Sequence, residues 1–143
     1  MKEYIHGGDI YRHPDVLDFS ANINPLGTPP AVVQAAKDSM EWICHYPDAC
    51  QEKLKQALAA YEQVPVEWLI CGNGAAELIF ALVQAVKPKR ALVMAPTFAE
   101  YAQALEAVGC EVDREILKKE DGFTLQRTIL EELQKEDLQM VFL

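Results

Sequence analysis

Cys71-Gly72-Asn73-Gly74-Ala75-Ala76-Glu77 sits between two apolar runs. Before it, Trp68-Leu69-Ile70-Cys71 reads as a buried strand. After it, Leu78-Ile79-Phe80-Ala81-Leu82-Val83 opens a mostly apolar helix. A strand, a glycine turn and a helix start, in that order, make a natural anion site. The first turn of a helix has N–H groups without intrahelical acceptors, and the helix dipole adds partial positive charge there. The N–H groups of Gly74, Ala75 and Ala76 are therefore candidate phosphate donors. The same residues also read as a plain turn joining strand to helix, and taken alone they leave both readings open. A dinucleotide fingerprint fits poorly, because it asks for a third glycine where this chain has Glu77.

Outward from that turn the pattern continues. A helix over 75–86 is stopped by Pro88. Ala91-Leu92-Val93-Met94 is a short, continuous apolar run, as in a parallel strand covered on both faces. Pro96-Thr97-Phe98-Ala99-Glu100-Tyr101 leads into a helix that ends at Val108, with Gly109 in the capping place. Residues 111–117 alternate like a strand, Lys118–Gly122 is a charged turn, and Thr124 is placed to cap a helix through Gln134. Met140-Val141-Phe142-Leu143 reads as a last buried strand. The expected fold class is α/β, a three-layer sandwich with a mostly parallel sheet and helices on both faces. In such sheets ligands sit beyond the carboxyl ends of the strands. A chain ending on a core strand is expected to be part of a larger protein.

Upstream the chain differs. Residues 1–27 read as an extended arm carrying His6-Gly7-Gly8 and the turn residues Asn24-Pro25 and Leu26-Gly27. Thr28 is a plausible N-cap with Pro29 at the first helical position, and a helix over 30–44 has the apolar stripe Val32, Val33, Ala36, Met40 and Ile43. Pro47 breaks the chain. Asp48 with Gln51 resembles a capping box for a helix over 49–63. Between these helices Tyr46 is either a packing ring or a hydroxyl offered to a ligand.

The 143 residues, half of them hydrophobic, suffice for a globular core. A net charge of −9 without a basic cluster argues against nucleic acid. No apolar run is long enough to span a bilayer, and the first residues lack the apolar stretch of a signal peptide, so a cytoplasmic setting is expected. Cys44, Cys50, Cys71 and Cys110 fit reduced, mostly buried thiols. Cys44 and Cys50 flank His45 without a standard zinc spacing, so no metal is expected.

Five stretches in order carry a family resemblance: His6-Gly7-Gly8, Asp18-Phe19-Ser20-Ala21-Asn22-Ile23-Asn24-Pro25-Leu26-Gly27, Tyr46-Pro47-Asp48, Gly72-Asn73-Gly74 with Glu77, and Pro96-Thr97-Phe98-Ala99-Glu100-Tyr101. With them the chain resembles the N-terminal part of fold-type I pyridoxal-phosphate enzymes. The first two stretches tilt the resemblance toward the threonine-phosphate decarboxylases of cobalamin synthesis, relatives of the histidinol-phosphate aminotransferases.

The resemblance implies pyridoxal 5'-phosphate as cofactor, its phosphate on the backbone of Gly74, Ala75 and Ala76 and its ring stacked on Phe98. It implies that Tyr46 reaches the cofactor phosphate of a neighbouring subunit in a homodimer, and that His6 and Asn22 bind the phosphate or carboxylate of a phosphorylated amino acid. Residues 1–48 correspond to the arm and first helix of the small-domain region, and residues 49–143 to the start of the cofactor-binding large domain. The family's Schiff-base lysine lies beyond Leu143. None of the lysines here is nominated as catalytic, and the chain alone is expected to be inactive. Three further readings stand beside the decarboxylase: an aminotransferase on a phosphorylated substrate, a non-catalytic truncated chain, and a nucleotide-binding module, the last opposed by Glu77.

Overall fold

The computed structural model describes residues 7–143. They form two compact units, one ending at Cys71 and the other running Gly72–Leu143.

The second unit is built on a central strand. Its elements are α3 (Gly74–Val86), β1 (Arg90–Ala95), α4 (Ala99–Ala107), β2 (Glu111–Ile116), α5 (Ile129–Leu133) and β3 (Met140–Phe142), after α1 (Pro30–Asp38) and α2 (Glu52–Glu62) of the first unit. β1 pairs in parallel with β2 on one edge, Arg90 opposite Glu111, and with β3 on the other, Ala91 opposite Met140. The strand order is β2-β1-β3. Period two sends alternate side chains of β1 to opposite faces. Ala91 and Val93 pack with Val83 of α3 and Ala104 and Leu105 of α4. Leu92 and Met94 pack with Ile129 of α5. Both faces of the sheet are thus covered, which is why 91–94 reads as an unbroken apolar run. The α/β expectation of a parallel sheet with helices on both faces holds.

The ends of the helices follow local chemistry. After α4 the Cys110 N–H donates to the Leu105 carbonyl (3.1 Å) and the Gly109 N–H to that of Glu106 (3.1 Å), the paired bonds of a Schellman ending at the expected glycine. Lys87 adopts a left-handed conformation (φ 48°) just before Pro88 and ends α3. At the amino end of the sheet Arg90 ties the strands together. Its Nε donates to Asp113 Oδ2 at 2.8 Å and its Nη1 to Asp137 Oδ2 at 2.6 Å.

The first unit consists of the arm, α1 (Pro30–Asp38), a 3-10 turn over Ser39–Trp42, α2 (Glu52–Glu62) and a 3-10 turn over Val66–Trp68. Pro29 occupies the N-cap and Pro30 the first helical position, one residue later than expected from Thr28, and Val32 and Val33 donate to the Pro29 carbonyl. Asp48 caps α2, but not through a box with Gln51. Its two carboxylate oxygens accept the N–H groups of Cys50 and Glu52, both at 2.9 Å, and Gln51 turns left-handed (φ 54°) so that α2 starts at Glu52.

Several expectations are corrected. The strand expected over 68–71 is absent. Val66–Trp68 is a 3-10 turn, Leu69 is extended, and no ladder among the described residues includes 68–71. A strand exists only by pairing, and none of the three described strands pairs with 68–71. The helix expected over 30–44 tightens into the 3-10 turn after Asp38, and the last helix shrinks to Ile129–Leu133 with Thr128, not Thr124, at its N-cap. The apolar stripe expected along 30–44 is exposed at Val32, Val33, Met40 and Ile43. Cys44 and Cys50 are exposed rather than buried, whereas Cys110 is buried and burial pushes its thiol pKa up.

Leu105 is fully buried between the sheet and α3. Leu105→Ala is expected to lower the unfolding free energy by about 2–5 kcal/mol, read from the urea midpoint. Hydrogen bonding from Arg90 holds the Asp137 carboxyl below its ordinary value of 3.8. A carboxyl depressed in the folded state stabilises above that ordinary value, and the contribution is lost as pH falls through the folded value. Asp137→Asn should therefore flatten the acid limb of the stability profile and leave its slope near neutral pH unchanged, as urea midpoints taken down through the carboxylate range will show.

Candidate functional site

The turn before α3 is shaped by two glycines and one carboxylate. Gly74 has φ +81°, and its N–H donates to the Gly72 carbonyl at 2.9 Å. A Cβ on Gly74 would meet nothing within 4 Å among the described residues, so that side of the turn is open in them. A Cβ on Gly72 would lie 2.9 Å from both Glu77 Oε2 and Leu78 Cδ2, so this position admits no side chain without displacing them. Glu77 bends back over the turn, and its Oε2 accepts the N–H of Asn73, the N-cap residue. Asn73 makes no side-chain cap bond. Ala75 and Ala76 fill the second and third helical positions, whose N–H groups have no intrahelical acceptor. The Gly74 N–H turns inward to Gly72, and Ala75 and Ala76 carry the donors that point out along the helix axis.

Topology carries this turn to the carboxyl end of the sheet. Only residues 87–89 separate α3 from β1, and α3 packs on the Ala91–Val93 face. A helix folded back by so short a connection runs antiparallel to the strand, which returns its first turn to the end where β1 finishes. From that end the chain passes through Pro96 and Thr97 to Phe98, the N-cap residue of α4. Phe98 is partly exposed. Its ring meets Tyr101 edge-on (centroids 5.8 Å, 80°), and Tyr101 stacks on Phe142 at 4.4 Å. This aromatic chain fixes the direction of the Phe98 ring and ties α4 to β3. Gly74, Ala75, Ala76 and Phe98 thus share the carboxyl end of one sheet, with two helix N-termini.

Asn22 and Tyr46, also named from the sequence, belong to the other unit. Asn22 is exposed at the apex of a tight turn in which the Ile23 N–H donates to the Ala21 carbonyl at 3.0 Å. Tyr46 is fully exposed, so the packing-ring reading does not hold within this chain. His6 lies outside the described residues. Among the described residues no three His, Cys, Asp or Glu side chains gather as a metal site, and no helix is long and apolar enough to cross a membrane. Two features escaped the sequence reading. One is the Glu77 carboxylate over the turn, which a Glu four residues after an N-cap Asn could have signalled. The other is the hydrogen bonding of Asp18 and Ser20 in the arm.

Residues 14–143 match the model of the family described as aminotransferase class I and II. The chain belongs to that family. It is 47% identical to threonine-phosphate decarboxylase from Salmonella typhimurium over 146 aligned positions, covering 96% of this chain and 40% of that protein. The fold resembles that of histidinol-phosphate aminotransferase from Clostridium acetobutylicum (TM-score 0.72, 24% identity, 90% of this chain and 37% of that one). It also resembles cystalysin from Treponema denticola, whose structure contains pyridoxal 5'-phosphate (TM-score 0.69, 16% identity, 92% of this chain and 37% of that one). At these identities the structural likenesses speak for the fold alone. This member of the aminotransferase class I and II family spans about two fifths of the length of the Salmonella decarboxylase.

The cystalysin structure contains pyridoxal 5'-phosphate, and the first turn of α3 here offers backbone donors of the kind that suit a phosphate. The space outside Gly74 is open, and the N-cap side chain does not occupy the donors of Ala75 and Ala76.

Glu77→Ala should release the Asn73 amide, raising its hydrogen exchange by at least about tenfold. Glu77→Gln retains an acceptor oxygen and should keep most of the protection.

Proposed function

We propose that this chain is the cofactor- and substrate-binding N-terminal portion of a pyridoxal-phosphate lyase that decarboxylates L-threonine O-3-phosphate to aminopropanol phosphate for cobalamin synthesis. The observation that carries this reading is the 47% identity to threonine-phosphate decarboxylase along nearly the whole chain. Residues 1–48 are assigned to the arm and small-domain region, and residues 49–143 to the cofactor-binding domain. The enzyme is proposed to be a cytoplasmic homodimer with a shared active site.

In this reading the N–H groups of Ala75 and Ala76 hold the cofactor phosphate with the help of the α3 dipole, and Gly74 keeps their approach open. Phe98 lies on the ring and excludes water from one face. Tyr46 offers its hydroxyl to the cofactor phosphate of the other subunit, for which its full exposure leaves it available. His6 and Asn22 bind the anionic ends of the substrate. His6 donates from both ring nitrogens when protonated, a form that an anionic neighbour favours. When bound, the cofactor supplies the electron sink for the pair left behind as carbon dioxide departs. No lysine of this chain is assigned the covalent link to it.

The test uses the protein expressed from its complete gene and loaded with pyridoxal phosphate. Carbon dioxide release from L-threonine O-3-phosphate, without any keto-acid acceptor, is the expected result. Amino-group transfer to an added keto acid with no carbon dioxide released would replace the reading with an aminotransferase.

A further inference from the structure

We propose that Asp18 and Ser20 are positioning residues, which clamp the Gly7–Gly8 strap onto the turn bearing Asn22 and so set the substrate-phosphate end of the site. The inference rests on the reading that His6 and Asn22 bind the substrate.

The arm has no regular secondary structure between Gly7 and Pro29, and nearly all of it is exposed. Its path therefore depends on a few specific bonds rather than on a core. One set joins segments twelve residues apart. The Gly8 N–H donates to Ser20 Oγ at 2.8 Å. The Ser20 hydroxyl in turn donates to Asp18 Oδ1 at 2.5 Å, and the Ser20 N–H donates to the same oxygen at 2.7 Å. A hydroxyl has one hydrogen. With that hydrogen committed to Asp18, a lone pair of Oγ is left facing Gly8, so the carboxylate orients the hydroxyl that holds the strap. Hydrogen bonds from Ser20 also keep the Asp18 carboxyl below the ordinary range, hence ionised and acceptor-only at neutral pH.

The strap meets this turn backbone to backbone. A Cβ on Gly7 would stand 2.1 Å from the Ser20 carbonyl oxygen, a distance no side chain tolerates. Gly8 takes φ +83°, and its Cβ position lies 3.6 Å from that of Ala21. Gly7 is bonded to His6, and Ser20 stands two residues before Asn22. Both proposed substrate contacts are thus within two residues of the clamp in sequence. Beyond it, Asn24 locks the next turn, its Oδ1 accepting from Leu26 N–H at 3.0 Å and its Nδ2 donating to the Gly27 carbonyl at 3.2 Å. Ser20 Oγ and Asp18 Oδ1 spend their hydrogen bonds on the arm itself, and Asp18 Oδ2 is buried with no hydrogen-bond partner among the described residues, which makes the two positioning residues rather than substrate ligands.

The protein from the complete gene, loaded with pyridoxal phosphate, is compared as wild type, Ser20→Ala, Ser20→Thr and Asp18→Asn. Ser20→Ala and Asp18→Asn should raise the KM for L-threonine O-3-phosphate about tenfold, with kcat and pyridoxal-phosphate affinity little changed. Ser20→Thr, which keeps the hydroxyl, should restore the wild-type KM. The Gly8 amide should exchange faster in Ser20→Ala and at the wild-type rate in Ser20→Thr. Unchanged Gly8 exchange in Ser20→Ala overturns the clamp. Faster exchange with an unchanged KM, or with weakened cofactor binding, overturns the positioning role. A wild-type protein that does not decarboxylate threonine phosphate overturns the functional reading and the positioning role with it, while Gly8 exchange still decides whether the clamp exists.

Discussion

Arg90–Ala95 is bonded on both edges and covered on both faces, and the rest of the second unit is arranged to satisfy it. A strand in that position has nowhere to place a polar side chain in its middle, so Ala91, Leu92, Val93 and Met94 are all apolar and buried. Its two faces then need separate partners. α3 and α4 supply one, and α5 with its flanking residues supplies the other. At its amino end Arg90 meets the carboxylates of Asp113 in β2 and Asp137 in the turn before β3, which ties the three segments by charge where apolar packing gives out.

The same constraint makes the candidate site. Parallel strands require helical connections, and each returning helix brings its partial charges to one end of the sheet. The turn at 72–74 and the N-terminus of α4 both lie at the carboxyl end for this reason. Glu77 adds a tension there. Its carboxylate closes the turn through Asn73 but sets a negative charge near donors suited to an anion. The hydrogen bond engages that charge on the backbone, and the missing side chain at Gly72 makes room for it.

The first unit follows a different logic. Its helices are started by local chemistry, Pro30 at the head of α1 and the Asp48 carboxylate on the N–H groups of α2. Ala59 is its one buried apolar residue among those described. Where packing is thin, directional bonds set the path, as with Asp18 and Ser20 in the arm.

Apolar runs, prolines and glycines determined by themselves where α3, β1, α4 and β3 lie, because burial on two faces and helix stop signals are written in neighbouring residues. They also marked Gly74, Ala75 and Ala76 as candidate donors, since a glycine turn at a helix start is a local feature, whereas Phe98 was named only through the family resemblance. Pairing was decided only by the tertiary structure. Trp68–Cys71 has a strand's composition but no ladder among the described residues, for hydrogen-bond partners are set by distant segments and not by local composition. The tertiary structure likewise brought Glu77 onto Gly72 and Ser20 onto Gly8, as a side chain's direction depends on backbone angles that residue identity alone does not fix.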